Sequence, residues 1–506
     1  MNRKIRFLST VFILFNIAVQ ADSVDPNNVD SDIMGEWVTV DFVKAIDLFA
    51  PVRASWKGEL SLKGLSFEGN SVIWWFFGDN YRRKLTWEPG KVQTMFDRPA
   101  LYQLKNIGGV DYLFFEWISG DVINRGMKPF YYVLKKGEIK SKYQAASPRG
   151  GSSQSNSGGF TTVKPVNTVD FYDDVRYKDL SSIQTLKSDL ARSLRFNQDT
   201  VWPQQSFGGK TIEWFADKIL HAAMNPGLGV RKLHKMGITG KGVNVAIIDQ
   251  PMYRGHPEFK GKIAAYHDVG CDGEKSSMHG PAVASLLVGE NCGTAPDAKL
   301  YYVAAPSWTG DAEYYSKALG WIIKQNNQLP AGQKIRVVSV SAAPSGPGSP
   351  FDKNNAMWDQ ACQKAEASGI MVLDCTRHHG IISGCFFEGR NVENPASCRP
   401  GLPSNPWVQK IPTEKLFVPR CPRTSAEEYD EGVCAYVYWG EGGLSWTIPY
   451  AAGVLAMGWQ VWPEATPQQM KELLFQSAYV NKDGAKIINP PQFINAIKKV
   501  QKARTP

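Results

Sequence analysis

The sequence predicts an α/β fold, a parallel sheet flanked by helices, preceded by a separate small β-rich domain. Three observations predict it. From Gly237 onward, short apolar runs alternate with helical patterns. Between residues 35 and 136 the runs are instead short, aromatic and β-branched, with Gly, Pro or Asn punctuation between them. The stretch SPRGGSSQSNSGG, residues 147–159, lies between the two regions and has the composition of a flexible linker.

The chain of 506 residues has room for two or three domains. Its 43% hydrophobic and 21% charged residues are ordinary for a globular protein, which excludes a disordered, collagenous or multi-span membrane chain. The net charge of +9 is spread along the chain, with short basic clusters such as KKVQKAR, and makes no case for nucleic acid as a partner.

Residues 1–21 read as a secretory signal peptide. Arg3, Lys4 and Arg6 form a basic head, Phe7 to Val19 an apolar stretch, and Val19 and Ala21 fit a cleavage site before Asp22. The apolar run is short for a membrane span of about 20 residues. The expectation is an exported protein, secreted or periplasmic, with no span left after cleavage. All eight cysteines lie between Cys271 and Cys434, and an even number in an exported domain predicts disulfides of open connectivity. There is no C-x-x-C pair and no His-x₃-His partner, so the cysteines do not read as a zinc site.

Residues 22–146 form the β-rich accessory domain. GEWVTVDFV, ELSLKGLSFEG, VDYLFFEWISG and FYYVLKK read as its strands. Gly35-Glu36-Trp37 with the later Arg125-Gly126 resembles small lipocalin-like barrels. Histidine and cysteine are absent here, which leaves a binding or chaperoning module. Residues 160–236 read as a lead-in arm or a prosegment. They contain a helix around EWFADKILHAAM, on which Trp214, Ile219 and Leu220 are expected to share a face.

Residues 237–506 form the main domain. VNVAIID, KLYYVAA, KIRVVSVS and GIMVLDC are apolar runs of the kind buried on both faces of a parallel sheet. HGPAVASLLVG, DAEYYSKALGWIIKQ and NNAMWDQACQKAEAS are helical patterns between them. A further helix opens at Thr466, with Pro467 at its first position and Gln469 completing a capping box. The apolar run Ile448 to Val461 contains Pro449 and Gly453 and is short for a span, so it reads as a buried central helix.

Reactive groups gather outside the carboxyl ends of the strands in an open parallel sheet. Asp249 closes VNVAIID, where it is either a turn residue or a functional carboxylate. His279 stands at the start of a helix thirty positions later. Ser445 sits at a Gly-rich helix entry, as an N-cap or as a nucleophile where backbone N–H groups face developing negative charge.

Together these three places resemble the subtilisin-like serine proteases, the subtilases. GKGVNVAIID resembles the strand that ends in the family's Asp. SSMHGPAVASLLVGENCGTAPDAKLYYVAA resembles its His helix and following strand. GLSWTIPYAAG resembles its G-T-S-M-A-x-P-x-x-A-G, keeping Gly443, Ser445, Pro449, Ala452 and Gly453. The order Asp, His, Ser is that of subtilisin. The resemblance implies Ser445 as nucleophile, His279 as general base and then acid, and Asp249 as the group that orients the imidazole.

This chain departs from the family pattern beside the nucleophile, where Leu444 and Trp446 replace Thr and Met. Subtilases also carry an oxyanion-hole Asn after the strand aligned with GIMVLDC, and here the sequence runs Thr376-Arg377-His378-His379-Gly380. The candidates for that donor are His378 and His379, or else the backbone alone. In VVSVSAA, Ser341 matches the family's Ser, whereas Ala342 and Ala343 replace glycines flanking the specificity pocket. Asp374 either adds negative charge near that pocket or caps a strand or pairs with Arg377. The implied activity is a secreted serine endopeptidase acting on polypeptide substrates. The alternative is a catalytically impaired binding protein on the same fold. No cofactor is required for the chemistry. Calcium is common in the family, but no D-x-[DN]-x-[DN]-G loop occurs here and no site is assigned.

Overall fold

The computed structural model describes residues 31–504 except 53–54, 56–61, 70, 77–81, 94–98, 119–127, 140–163, 166–167, 272–275, 277, 390, 408–410 and 428–433. Residues 1–21, read as a signal peptide, and residues 147–159, read as a linker, lie outside the described residues, as do Arg125 and Gly126.

Alternation of aromatic and polar residues gives eight antiparallel strands in a closed barrel. They are β1 (Gly35–Val43), β2 (Leu62–Glu68), β3 (Ser71–Phe76), β4 (Arg82–Glu88), β5 (Lys91–Val92), β6 (Ala100–Ile107), β7 (Val110–Trp117) and β8 (Phe130–Lys136). Closure comes from β1 pairing with β8, Val38 opposite Lys135. Trp37, Phe67, Trp74, Trp87 and Phe115 pack its interior. Eight strands enclose a space that side chains can fill, and here aromatic rings fill it. Trp37 is fully buried and its indole N–H donates to Ile33 O at 2.6 Å, which ties β1 to the residues before it.

Residues 169–224, within the region read as a lead-in arm or prosegment, have a core of their own. Helix α1 (Ser188–Ser193), strand β9 (Arg195–Asn197) and helix α2 (Ile212–Ala222) surround a core of Leu186, Leu194, Phe196, Trp202 and Leu220. On α2 the buried face is Ile212, Ala216, Ile219 and Leu220, while Trp214 is 46% exposed. Trp214 was expected on that face. It lies instead in the first turn beside Lys210 and Lys218, whose ammonium groups cover its ring.

After α3 (Val230–Lys235) the expected alternation follows. The strands are β10 (Asn244–Asp249), β11 (Ile263–Asp268), β12 (Lys299–Ala304), β13 (Ile335–Val340) and β14 (Met371–Asp374), all parallel in the order β11-β12-β10-β13-β14. The helices α4 (His279–Val288), α5 (Ala312–Gln328) and α6 (Asn355–Ala367) connect them. A second sheet holds β15 (Ile382–Phe387), β16 (Cys398–Pro400) and β17 (Leu416–Cys421). Strand β19 (Ala435–Trp439) pairs on one side with β18 (Arg423–Glu427) and on the other with β9, which places Phe196 opposite Tyr438. The central helix α7 (Thr447–Val461) is buried from Thr447 through Trp459. Helix α8 (Pro467–Gln476) opens on the Thr466 capping box, and α9 (Pro490–Arg504) closes the chain. Among the described residues no helix is long and apolar enough to cross a membrane.

Cys292, Cys362, Cys375, Cys385, Cys398 and Cys421 are thiols, so the bridges expected from the cysteine count are not formed among these six. Cys292, Cys385, Cys398 and Cys421 pack as small apolar side chains within the core.

Candidate active site

Strand β10 is buried at every position because sheet neighbours flank it and helices cover both faces. Its last residue, Asp249, is 2% exposed, and a carboxylate there needs partners. It has them. The Gln250 N–H donates to Asp249 Oδ1 at 2.8 Å, and His279 Nδ1 lies 2.6 Å from the same oxygen. His279 is the first residue of α4, whose remaining residues are buried. The bond fixes the imidazole with Nδ1 as donor and leaves Nε2 as acceptor.

Gly280 makes this approach possible. A Cβ on it would stand 2.6 Å from Gln250 O and 2.8 Å from Pro251 O, so only glycine lets α4 lie against the end of β10. Gly280→Ala is expected to cost about 1–3 kcal/mol and to displace His279 from Asp249. A lowered melting temperature together with a fall in turnover of 10²-fold or so checks this. Unchanged turnover would show that the imidazole tolerates the shift.

Ser445 lies in a short 3₁₀ turn, Leu444–Trp446, directly before α7. Its hydroxyl donates to Ser341 O at 3.4 Å, and the Ser341 hydroxyl donates to Ser445 O at 2.8 Å. This pair ties the serine loop to the end of β13. Among the described residues the Ser445 hydroxyl makes no hydrogen bond to His279. The two elements nevertheless meet, since the His279 and Trp446 rings are 5.4 Å apart and Trp446 packs edge-on against Trp439 at 4.9 Å. The Trp that replaces the family's Met thus forms a buried wall beside the imidazole. Catalytic hydrogen bonds are often long before substrate binds.

Asp374 is 1% exposed and accepts from the Trp358 indole N–H at 2.9 Å, the Thr376 N–H at 3.0 Å and the Thr376 hydroxyl at 2.7 Å. Of the readings open for Asp374, the structure gives the cap. Its oxygens are occupied and turned inward. The imidazoles of His378 and His379 lie against Asp359 of α6, with Nε2 atoms 3.2 and 3.4 Å from its Oδ1. The structure therefore brings Asp249 and His279 together, sets the Leu444–Trp446 turn against His279 through Trp446, and holds both loop histidines on a different carboxylate. Trp358 and Asp359 were missed in the sequence, where they read as ordinary members of an amphipathic helix.

A five-stranded parallel sheet with an Asp–His pair at its carboxyl edge, and a serine at the entry of a buried central helix, defines a protein of the subtilisin-like α/β class. Residues 240–376 match the model of the subtilase family. Subtilisin E of Bacillus subtilis (strain 168) is 25% identical over 256 residues, which are 49% of this chain and 63% of the relative. Subtilisin of Bacillus pumilus is 24% identical over 256 residues, 49% of this chain and 87% of its own. The chain thus spans 63% of the length of the first curated relatives it matches. Among solved structures, fervidolysin from Fervidobacterium pennivorans, a keratinolytic enzyme related to subtilisin, aligns over 54% of this chain and 45% of its own. Its identity is 15% and its TM-score 0.41. A cold adapted subtilisin-like serine proteinase covers 49% of this chain and 89% of its own, at 21% identity and a TM-score of 0.37.

Proposed function

We propose that this chain is an exported serine endopeptidase that cleaves polypeptides through an acyl-enzyme. The observation that carries the reading is the 2.6 Å bond between His279 Nδ1 and buried Asp249 beside the Ser445 turn. In this reading His279 Nε2 takes the Ser445 hydroxyl proton as Oγ bonds to the substrate's carbonyl carbon. The imidazolium, stabilised by Asp249, then protonates the leaving amine, and water releases the acyl group by the same route. The Ser445 N–H is assigned as one oxyanion donor, and the loop from Thr376 to Gly380 as the source of the other. For His378 or His379 to be that donor, a ring must first leave Asp359. The barrel is assigned as an accessory module for binding or chaperoning.

One observation favours a second reading, a catalytically impaired protein on the same fold. The Ser445 hydroxyl faces Ser341 O, and bulky Leu444 and Trp446 flank it. Treatment with a fluorophosphonate probe followed by peptide mass spectrometry separates the two. The peptidase reading expects an adduct on Ser445, and a native, fully unlabelled protein supports the second.

A further inference from the structure

His378, His379 and Asp359 meet outside the serine–histidine–aspartate group, on the loop after β14 and the exposed side of α6. The donor atoms of all three lie within 4.8 Å of one another. The Asp359 oxygen stands 3.2 Å from His378 Nε2 and 3.4 Å from His379 Nε2. Donors about 2.0–2.1 Å from a tetrahedral zinc ion are separated by about 3.3 Å, so these two edges already have that spacing.

The hydrogen bonds around His379 decide which nitrogen carries its proton. The Thr376 hydroxyl spends its hydrogen on Asp374 Oδ1 at 2.7 Å and accepts from the Gly380 N–H at 3.1 Å. His379 Nδ1, 3.0 Å from that hydroxyl oxygen and 3.5 Å from Asp374 Oδ2, must then be the donor. In the neutral ring this leaves the Nε2 lone pair facing the Asp359 carboxylate. Two acceptors face each other at 3.4 Å, an arrangement that a cation between them relieves. A ligand imidazole whose other nitrogen is held by a hydroxyl–carboxylate relay is the usual outer shell of a bound metal. Gly346 completes the seat. Its φ of +83° favours glycine, and a Cβ there would strike the His378 ring.

We propose that Asp359, His378 and His379 form a binding site for a divalent transition metal of the zinc class, with three protein ligands and a fourth position open to water. A second grouping, Cys362, Asp374 and His379, lies on the Nδ1 side of the same ring. Asp374 is already saturated there by Trp358 and Thr376, which places the metal on the Nε2 side. Both imidazoles line a surface groove with Arg377, Glu414 and Lys415, so the ion enters from solvent. Bound metal would clamp the loop from Thr376 to Gly380 onto α6.

The test is equilibrium dialysis of the full chain against zinc chloride, with metal content read by mass spectrometry and melting temperature recorded with and without zinc. Metal content is independent of whether the chain hydrolyses peptides. The expected result is about one zinc per chain and a raised melting temperature. Both should be lost in His378→Ala and His379→Ala, and affinity should fall about 10–100-fold in Thr376→Ala, which keeps every ligand. His221→Ala removes an exposed imidazole paired with Asp217 and should leave the stoichiometry unchanged. Circular dichroism shows whether each variant is folded, and Thr376→Ala and His379→Gln serve if an alanine variant is not. Failure of the wild-type chain to bind zinc overturns the proposal, as does unchanged zinc content in folded His378→Ala and His379→Ala. Either result would leave the two imidazoles as hydrogen-bond partners of Asp359 with no metal between them.

Discussion

Ser445→Ala is expected to lower peptide hydrolysis by on the order of 10⁴–10⁶-fold, to remove all fluorophosphonate labelling and to leave the fold intact. The structure separates these effects. The Ser445 hydroxyl makes a single long hydrogen bond, 3.4 Å to Ser341 O, so its loss costs stability about 1 kcal/mol or less. The bond from the Ser341 hydroxyl goes to the backbone of residue 445 and survives the change. A melting temperature near that of the wild type, with hydrolysis reduced to the background of the assay, is the outcome sought. Residual hydrolysis and labelling at wild-type levels would remove Ser445 from the chemistry.

Arg176→Ala is expected to destabilise the protein by about 1–3 kcal/mol, the cost of leaving buried polar groups short of a partner while Asp174 keeps Arg195 at 3.1 Å. Arg176 pairs with Asp174 at 2.7 Å and with Glu427 of β18 at 3.3 Å, and its side chain is 13% exposed. Burial pushes the Glu427 carboxyl up to about 8, against the pull of Arg176. The pH dependence follows from the sign of that shift. A carboxyl whose folded value exceeds its unfolded value contributes stability below about 4.5, and this contribution is lost as pH rises through about 8. Without Arg176 the carboxyl is harder still to ionise, so the variant should lose more stability at pH 9 than at pH 5. Melting curves across that range test this, with Glu427→Gln as the control that flattens the slope. An equal loss at both pH values would place the effect elsewhere than in Glu427.

The features legible in the sequence were those that repeat at short range. Buried parallel strands read as apolar runs, as in VNVAIID, and the Thr466-Pro467-Gln469 helix start was visible because a cap spans four residues. Asp249, His279 and Ser445 were legible as motifs, since each stands in a local pattern imposed by its backbone. What escaped depended on partners far along the chain. Nothing near Phe196 announces Tyr438, and nothing near Arg176 announces Glu427. The strand that residues 160–236 supply, β9, was therefore not legible in a region read as a lead-in arm or prosegment. Asp359 escaped for a related reason. An acidic residue on an exposed helix face is commonplace until a distant loop brings two imidazoles to it.

The pairing of β9 with β19 also constrains when the protein becomes competent. The Tyr438 hydroxyl donates to Arg192 O, a contact between residues 246 apart in the chain. Gly440 lies under the same segment, where any side chain would strike Ser193 and Leu194 backbone. Closing so long a loop adds little to the equilibrium cost but slows folding, because the entropy is lost before the contacts form. The stretch from Trp439 to Ser445 therefore takes its final course late, after nearly the whole chain has been synthesised and both halves of the sheet have met. A chain still being synthesised carries Asp249 and His279 before the segment that packs beside them exists.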